Sequence, residues 1–132
     1  MRRFGSPPSA EEIETIARAT LSALPEPFAA SLGDVVLLVE EFADAATLRQ
    51  MGLDNPFELS GLYEGVPLTE RSVEQSGTLP ERIRLFRRAI LDEWCEGKDT
   101  LEHLVAHVLI HEIGHHFGFS DADMHALEGS IA

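Results

Sequence analysis

Two histidines and a glutamate lie together in one short segment, His111-Glu112-Ile113-Gly114-His115. In a helix, residues four apart project from the same face about 6 Å apart along the axis, so His111 and His115 can bind one metal ion. Glu112 lies about 100° from His111 and about 60° from His115 around the helix, so it borders this ion without having to bind it. We therefore predict a metal site of His111 and His115, in which Glu112 is the general base that activates a metal-bound water.

This segment is expected to belong to one long, buried helix over residues 99–118. Asp99 and Glu102 have the spacing of a capping box, and Gly118 is a typical C-terminal stop. Apolar side chains occupy nearly every side of the helix: Leu101, Leu104, Val105, Val108, Leu109, Ile110, Ile113 and Phe117. Because two imidazoles and a carboxylate are costly to bury without partners, metal binding accounts for all three groups at once.

The third ligand is predicted from the residues that follow the helix. Gly118 can adopt the left-handed conformation that turns the chain back towards the metal. Asp121 lies three residues later and is well placed to provide a carboxylate oxygen, with His125 as the alternative third ligand. Imidazole and carboxylate donors suit zinc, although cobalt, nickel and iron accept the same ligands.

Three further histidines lie in the same helix. His103 and His107 extend the row of histidines spaced four apart, and we expect them on a solvated or cleft-edge face. His107 and His111 also have ligand spacing, but no glutamate follows His107, so this pair ranks below His111 and His115. His116 projects away from the metal pair and is predicted to be structural.

Residues 111–121 read HExxHxxGxxD, with a glycine where a turn is required. This string resembles the zincin metallopeptidases, and its glycine-containing form resembles their metzincin branch. The motif, the small size and the acidic character are most similar to the small bacterial minimal zincins. The resemblance implies that the motif helix packs under a sheet whose edge strand pairs with the substrate peptide. Residues 59–68 are the candidate edge.

Two features depart from the metzincin pattern. Asp121 stands where metzincins usually have histidine, and a negatively charged ligand should make the bound water less acidic and turnover slower. Only eleven residues follow Asp121, which leaves little room for a distant methionine turn, so Met124 is interpreted as a core methionine. Tyr63 and His107 are candidates, by residue type alone, for stabilising the oxyanion.

The rest of the chain is predicted to supply short helices and strands that position the motif helix. Ser9 and Glu12 have the spacing of a capping box, and residues 35–39 form an apolar run typical of a strand buried on both faces. The predicted elements are a helix over 9–24, a strand over 35–39, a helix over 45–52, a hairpin over 59–68, a loop over 69–80, a half-buried strand over 82–87 and a helix over 89–95.

Composition and charge exclude several classes of protein. The net charge of −13 disfavours binding to nucleic acid. No apolar stretch approaches the roughly 20 residues needed to cross a bilayer. The single cysteine, Cys95, rules out an intrachain disulfide framework and fits a reducing compartment. We therefore expect a cytoplasmic protein with no membrane or nucleic-acid partner, in which Cys95 is a half-buried structural thiol.

Together these observations predict a single α+β domain over residues 1–132, with a zincin-like fold in which a small mixed β-sheet packs on a central active-site helix. One zinc ion per chain is expected on His111, His115 and Asp121, with Glu112 as the catalytic residue and a peptide or protein as substrate. The alternative is a metal-binding or protein-interaction domain that keeps the zincin frame and hydrolyses nothing.

Overall fold

The structure is a computed structural model that describes residues 5–26, 28–32, 34–65 and 81–131. Its helices and strands alternate irregularly along the chain, which makes the fold α+β, as the sequence predicts. In chain order the elements are α1 (Ala10–Ala23), α2 (Phe28–Ser31), β1 (Val36–Glu40), α3 (Ala45–Met51), a 3-10 helix (Pro56–Glu58), β2 (Gly61–Glu64), β3 (Arg82–Phe86), α4 (Arg87–Glu96), α5 (Leu101–Phe117) and α6 (Asp121–Ile131).

The described strands form a small mixed sheet in the order β1-β3-β2. The central strand, β3, runs parallel to β1 and antiparallel to β2. Residues 61–64 of the predicted hairpin therefore form a strand, but that strand pairs with β3. The second half of the hairpin, 66–68, and the predicted loop 69–80 lie outside the described residues.

Helix α5, which carries the motif, runs through the main hydrophobic core, as its apolar pattern predicts. Its buried residues include Val105, Leu109, Ile110 and Ile113, each fully inaccessible to solvent. The helix packs against α1, α4, α6 and β2, so it is enclosed from several sides. The small mixed sheet thus packs on a central helix, as predicted.

Local signals set the ends of the helices. Ser9 and Glu12 form both bonds of the predicted capping box at the start of α1. The cap of α5 lies one residue later than expected, because the Thr100 side chain, and not Asp99, accepts a hydrogen bond from the His103 amide. Gly118 ends α5 in the left-handed conformation, with φ of 74°, as predicted.

Three expectations about burial are wrong. Strand β1 is buried on one face only, because α1 packs on the side of Leu37 while Val36 and Leu38 on the other side are 38% and 36% exposed. Cys95 is exposed on α4, which is longer than the predicted helix over 89–95. Strand β3 is not half-buried, since Arg84 on its predicted polar face is only 7% exposed.

Arg84 is buried because carboxylates from three elements surround its guanidinium. It pairs with Glu40 of β1 at 2.7 Å, Asp44 at 3.1 Å and Glu64 of β2 at 3.3 Å, and it also donates to the Thr47 hydroxyl at 3.0 Å. The Thr47 hydroxyl and the Arg84 guanidinium lower the pKa of Asp44 to about 2. Arg84 therefore joins the three strands and α3 on the face of the sheet opposite α5.

We expect Arg84→Leu to lower the free energy of unfolding by about 1–2 kcal/mol, because it leaves three carboxylates facing one another without their shared cation. Urea unfolding followed by circular dichroism measures this change. The matched control is Arg18→Leu, which removes an ion pair whose arginine side chain is 57% exposed. That substitution should change stability by less than about 0.5 kcal/mol. Equal losses in the two variants would contradict a structural role for Arg84.

Candidate metal centre

Three histidines of α5 line one side of the helix on successive turns. The ring centroids of His107 and His111 lie 4.1 Å apart, and those of His111 and His115 lie 6.5 Å apart. His111 is half-buried, whereas His115 is exposed. His103, one turn before His107, is exposed and lies 3.5 Å from Asp99, which agrees with the predicted solvated face. His111 is thus the central group of the row.

Glu112 lies at the outer edge of β2, which no other described strand pairs with, and its Oε2 atom accepts a hydrogen bond there from the Tyr63 amide at 3.2 Å. The Phe86 amide donates to the Ser60 carbonyl, so Ser60 and Phe86 are a hydrogen-bonded pair of the β2–β3 ladder. Because bonded and non-bonded pairs alternate along an antiparallel ladder, Tyr63 belongs to a non-bonded pair and its amide points away from β3. Helix α5 comes this close to β2 because Gly61 has no side chain. A Cβ atom there would lie 2.8 Å from Val108 Cγ1.

Burial changes the pKa values of both groups at the centre of the motif. It raises the pKa of Glu112 above its ordinary value, against the smaller opposing effects of the Tyr63 amide and the His115 charge. Burial, reinforced by the charge of His107, lowers the pKa of His111. At neutral pH His111 is therefore an uncharged imidazole with a free lone pair, the form that binds a metal.

The ligands predicted from the sequence are not equally close. Asp121 is exposed at the start of α6, near enough for its charge to raise the pKa of His111. Across the described residues, however, one set of three ligand atoms lies mutually within 4.8 Å, and it comprises His107, His111 and Glu128. The structure does not bring His111, His115 and Asp121 together within that distance, so this ligand set stays a prediction.

Glu128 of α6 was missed by the sequence analysis, and so was the helix that carries it. Its Oε1 atom lies 2.5 Å from His107 Nδ1. A signal for α6 is present in the sequence, because Ser120 and Asp123 form a capping box with hydrogen bonds in both directions. Together with the turn at Gly118, this capping box predicts a second helix directly after α5.

The alternative third ligand, His125, lies on α6 outside the set of three close donors. It lines a cavity of about 440 Å³ together with His103, His107 and Glu128. Met124, one residue earlier, is 2% exposed and belongs to the main core, in line with its interpretation as a core methionine.

Tyr63 and His116 form a partly buried group on the other side of the motif. The two rings stack with centroids 4.1 Å apart, and the Tyr63 hydroxyl donates to Glu81 Oε2 at 2.5 Å. The His116 side chain is 4% exposed, with Nε2 3.6 Å from Glu81 Oε1. The hydroxyl of Tyr63, a predicted oxyanion stabiliser, is therefore engaged by Glu81, and His116 packs as a structural residue would.

The donors on this side of α5 fit a zinc ion in their chemistry. Zinc binds imidazole nitrogen and carboxylate oxygen at about 2.0–2.2 Å. The neutral His111 lies between two other imidazoles, His107 one turn before it and His115 one turn after it. Carboxylates come from α6, whose charges at Asp121 and Glu128 act on His111. His111 thus has two acidic groups near it across the α5–α6 interface.

A family described as zincin-like metallopeptidase matches residues 32–130. No curated protein matches the chain. Within the part of the chain that the structure describes, no helix is both long and apolar enough to cross a membrane.

Proposed function

Since the chain belongs to the zincin-like metallopeptidase family, we propose that it is a zinc-dependent peptidase in which Glu112 is the general base. The observation that carries this proposal is the position of Glu112. The carboxylate is half-buried, has a raised pKa, follows His111 directly and lies at the outer edge of β2. Those are the properties of a base placed beside both a metal ligand and a strand edge.

His111, His115 and Asp121 would hold the ion, one zinc per chain, as the motif predicts. When bound, zinc supplies a Lewis acid that polarises the scissile carbonyl and lowers the pKa of water. Glu112 takes the proton of the attacking water and later passes it to the leaving amine. A raised pKa suits this double role, because the group must first accept a proton and then release it near neutral pH.

The substrate class follows from the edge of the sheet. The Tyr63 amide points outward from β2 and fixes the Glu112 carboxylate there. A peptide that lay extended along this edge would have its backbone beside Glu112, and strand addition is a common mode of peptide recognition. The resemblance to zincins implies the same placement, so we infer a peptide or protein substrate.

A metal-binding domain without hydrolysis is the second candidate function. It is favoured by one observation, namely that the three donor atoms lying closest together include neither His115 nor Asp121. An ion held by that set would lie on the side of α5 away from Glu112.

Zinc content and peptide cleavage, measured on the same preparation, test the proposal. The wild-type protein should contain about one zinc per chain by mass spectrometry and should cleave members of a peptide library. His111→Ala should lose both properties, because His111 belongs to each possible ligand set. Zinc without any cleavage would favour the second candidate, and a wild-type protein that binds no zinc would refute both.

A further inference from the structure

His107, His111 and Glu128 have the donor types and the spacing of a metal site. Their ligand atoms all lie within 4.8 Å of one another. Donor atoms around a tetrahedral zinc ion are about 3.4 Å apart when each bond is about 2.1 Å long. Small rotations of these side chains would therefore close the set around an ion without moving either helix.

The set is held in place by contacts between α5 and α6. Glu128 is fixed against His107, with Oε1 2.5 Å from Nδ1, and its side chain is only 15% exposed. The ring of His111 packs against that of His107 at 4.1 Å. The Glu128 carboxylate is therefore already in position beside two imidazoles, where it can bind a cation.

A cavity of about 440 Å³ reaches two members of this set. His107 and Glu128 line it, and its remaining polar side chains are His103, His125, Glu93 and Asp99. These groups are imidazoles and carboxylates, which attract divalent cations. Of the described residues, neither Glu112 nor His115 lines this cavity, so it opens on the side of the set away from the motif glutamate.

The set overlaps the predicted catalytic ligands at one residue, His111. A neutral imidazole has one free lone pair, so His111 can bind only one ion through that nitrogen. Around the helix, Glu112 lies about 60° from His115 but about 140° from His107. An ion bound by His107, His111 and Glu128 is therefore held away from Glu112, the base that acts on water.

We propose that His107, His111 and Glu128 form a second zinc site that competes for His111 and holds the ion in a non-catalytic position. The site itself depends only on the donor geometry, whereas its inhibitory effect rests on the proposed peptidase function. Removal of His107 and Glu128 should consequently leave zinc on the catalytic ligands.

The test measures zinc affinity by competition with a chromogenic chelator. It uses variants that remove His115 or Asp121, the two proposed catalytic ligands that the second site does not share. We expect His115→Ala to keep about one zinc per chain, and addition of Glu128→Gln to weaken binding by about tenfold or more. Asp121→Asn provides a second background, and both sites are exposed, so neither change disturbs the core. The matched control is Glu102→Gln in the same backgrounds, which removes the same charge at an exposed position outside both the cavity and the set, and it should leave affinity unchanged.

Two results would overturn the second site. One is that folded His115→Ala and Asp121→Asn variants bind no zinc while the wild-type protein does. The other is that both variants bind zinc with an affinity that Glu128→Gln does not change. Neither result depends on hydrolysis, so a wild-type protein that binds zinc but cleaves nothing would refute the peptidase proposal and leave this one standing.

Discussion

Glu112→Gln is expected to remove peptide hydrolysis while leaving zinc content unchanged. Glutamine has the shape of glutamate but cannot accept a proton from water, and general-base catalysis typically contributes about 10²- to 10⁴-fold. The amide oxygen of the new residue can still accept the Tyr63 hydrogen bond that positions Glu112. The substitution therefore separates proton transfer from the packing of the site. The measurement is kcat/KM on a cleaved peptide, with zinc determined on the same sample.

Glu102→Gln is the matched control for this experiment. Glu102 is exposed in the first turn of α5, so its replacement removes the same charge from the same helix without touching the motif. We expect full activity from this variant. If Glu112→Gln kept wild-type turnover, Glu112 would not be the base, and the proposed mechanism would be wrong.

The parts of the fold that were predicted correctly depend on local signals. The α1 capping box, the stop at Gly118 and the course of α5 through the core all follow from residues close together in the chain. The relation of Glu112 to His111 and His115 follows equally from the helical repeat alone. A single long helix was thus enough to predict the centre of the candidate site.

The parts that were missed depend on which elements meet in space. The sequence of β3 alternates polar and apolar residues, and nothing local indicates that three carboxylates from other elements enclose Arg84. The burial of β1 on one face depends on where α1 packs. Glu128 approaches His107 only because α6 folds back along α5, so no spacing rule within one helix could identify it.

Gly114→Ala is expected to destabilise the protein and weaken zinc binding together. A Cβ atom at Gly114 would overlap Met124 Sδ and lie 2.5 Å from Met124 Cγ, and Met124 is 2% exposed, with little room to move. Overpacking a core costs about 1–3 kcal/mol, while replacing glycine in a helix recovers up to about 1 kcal/mol. We expect a net loss of about 1 kcal/mol in urea unfolding.

The loss of zinc affinity follows from what α6 carries. Met124 anchors α6 against α5, and α6 also carries Asp121 and Glu128, the acidic donors of the two possible ligand sets. A shift of α6 would displace both donors, so zinc affinity should fall by about tenfold, whichever set holds the ion.

Gly129→Ala distinguishes this effect from a general response to alanine at a helical glycine. Gly129 lies in α6, and a Cβ atom there would meet nothing within 4 Å. Its replacement should raise stability by about 0.5–1 kcal/mol through helix propensity and leave zinc affinity unchanged. If Gly114→Ala also raised stability and left zinc affinity unchanged, α6 would tolerate the added methyl group. The position of the α6 carboxylates against the α5 histidines would then not depend on close packing at Gly114.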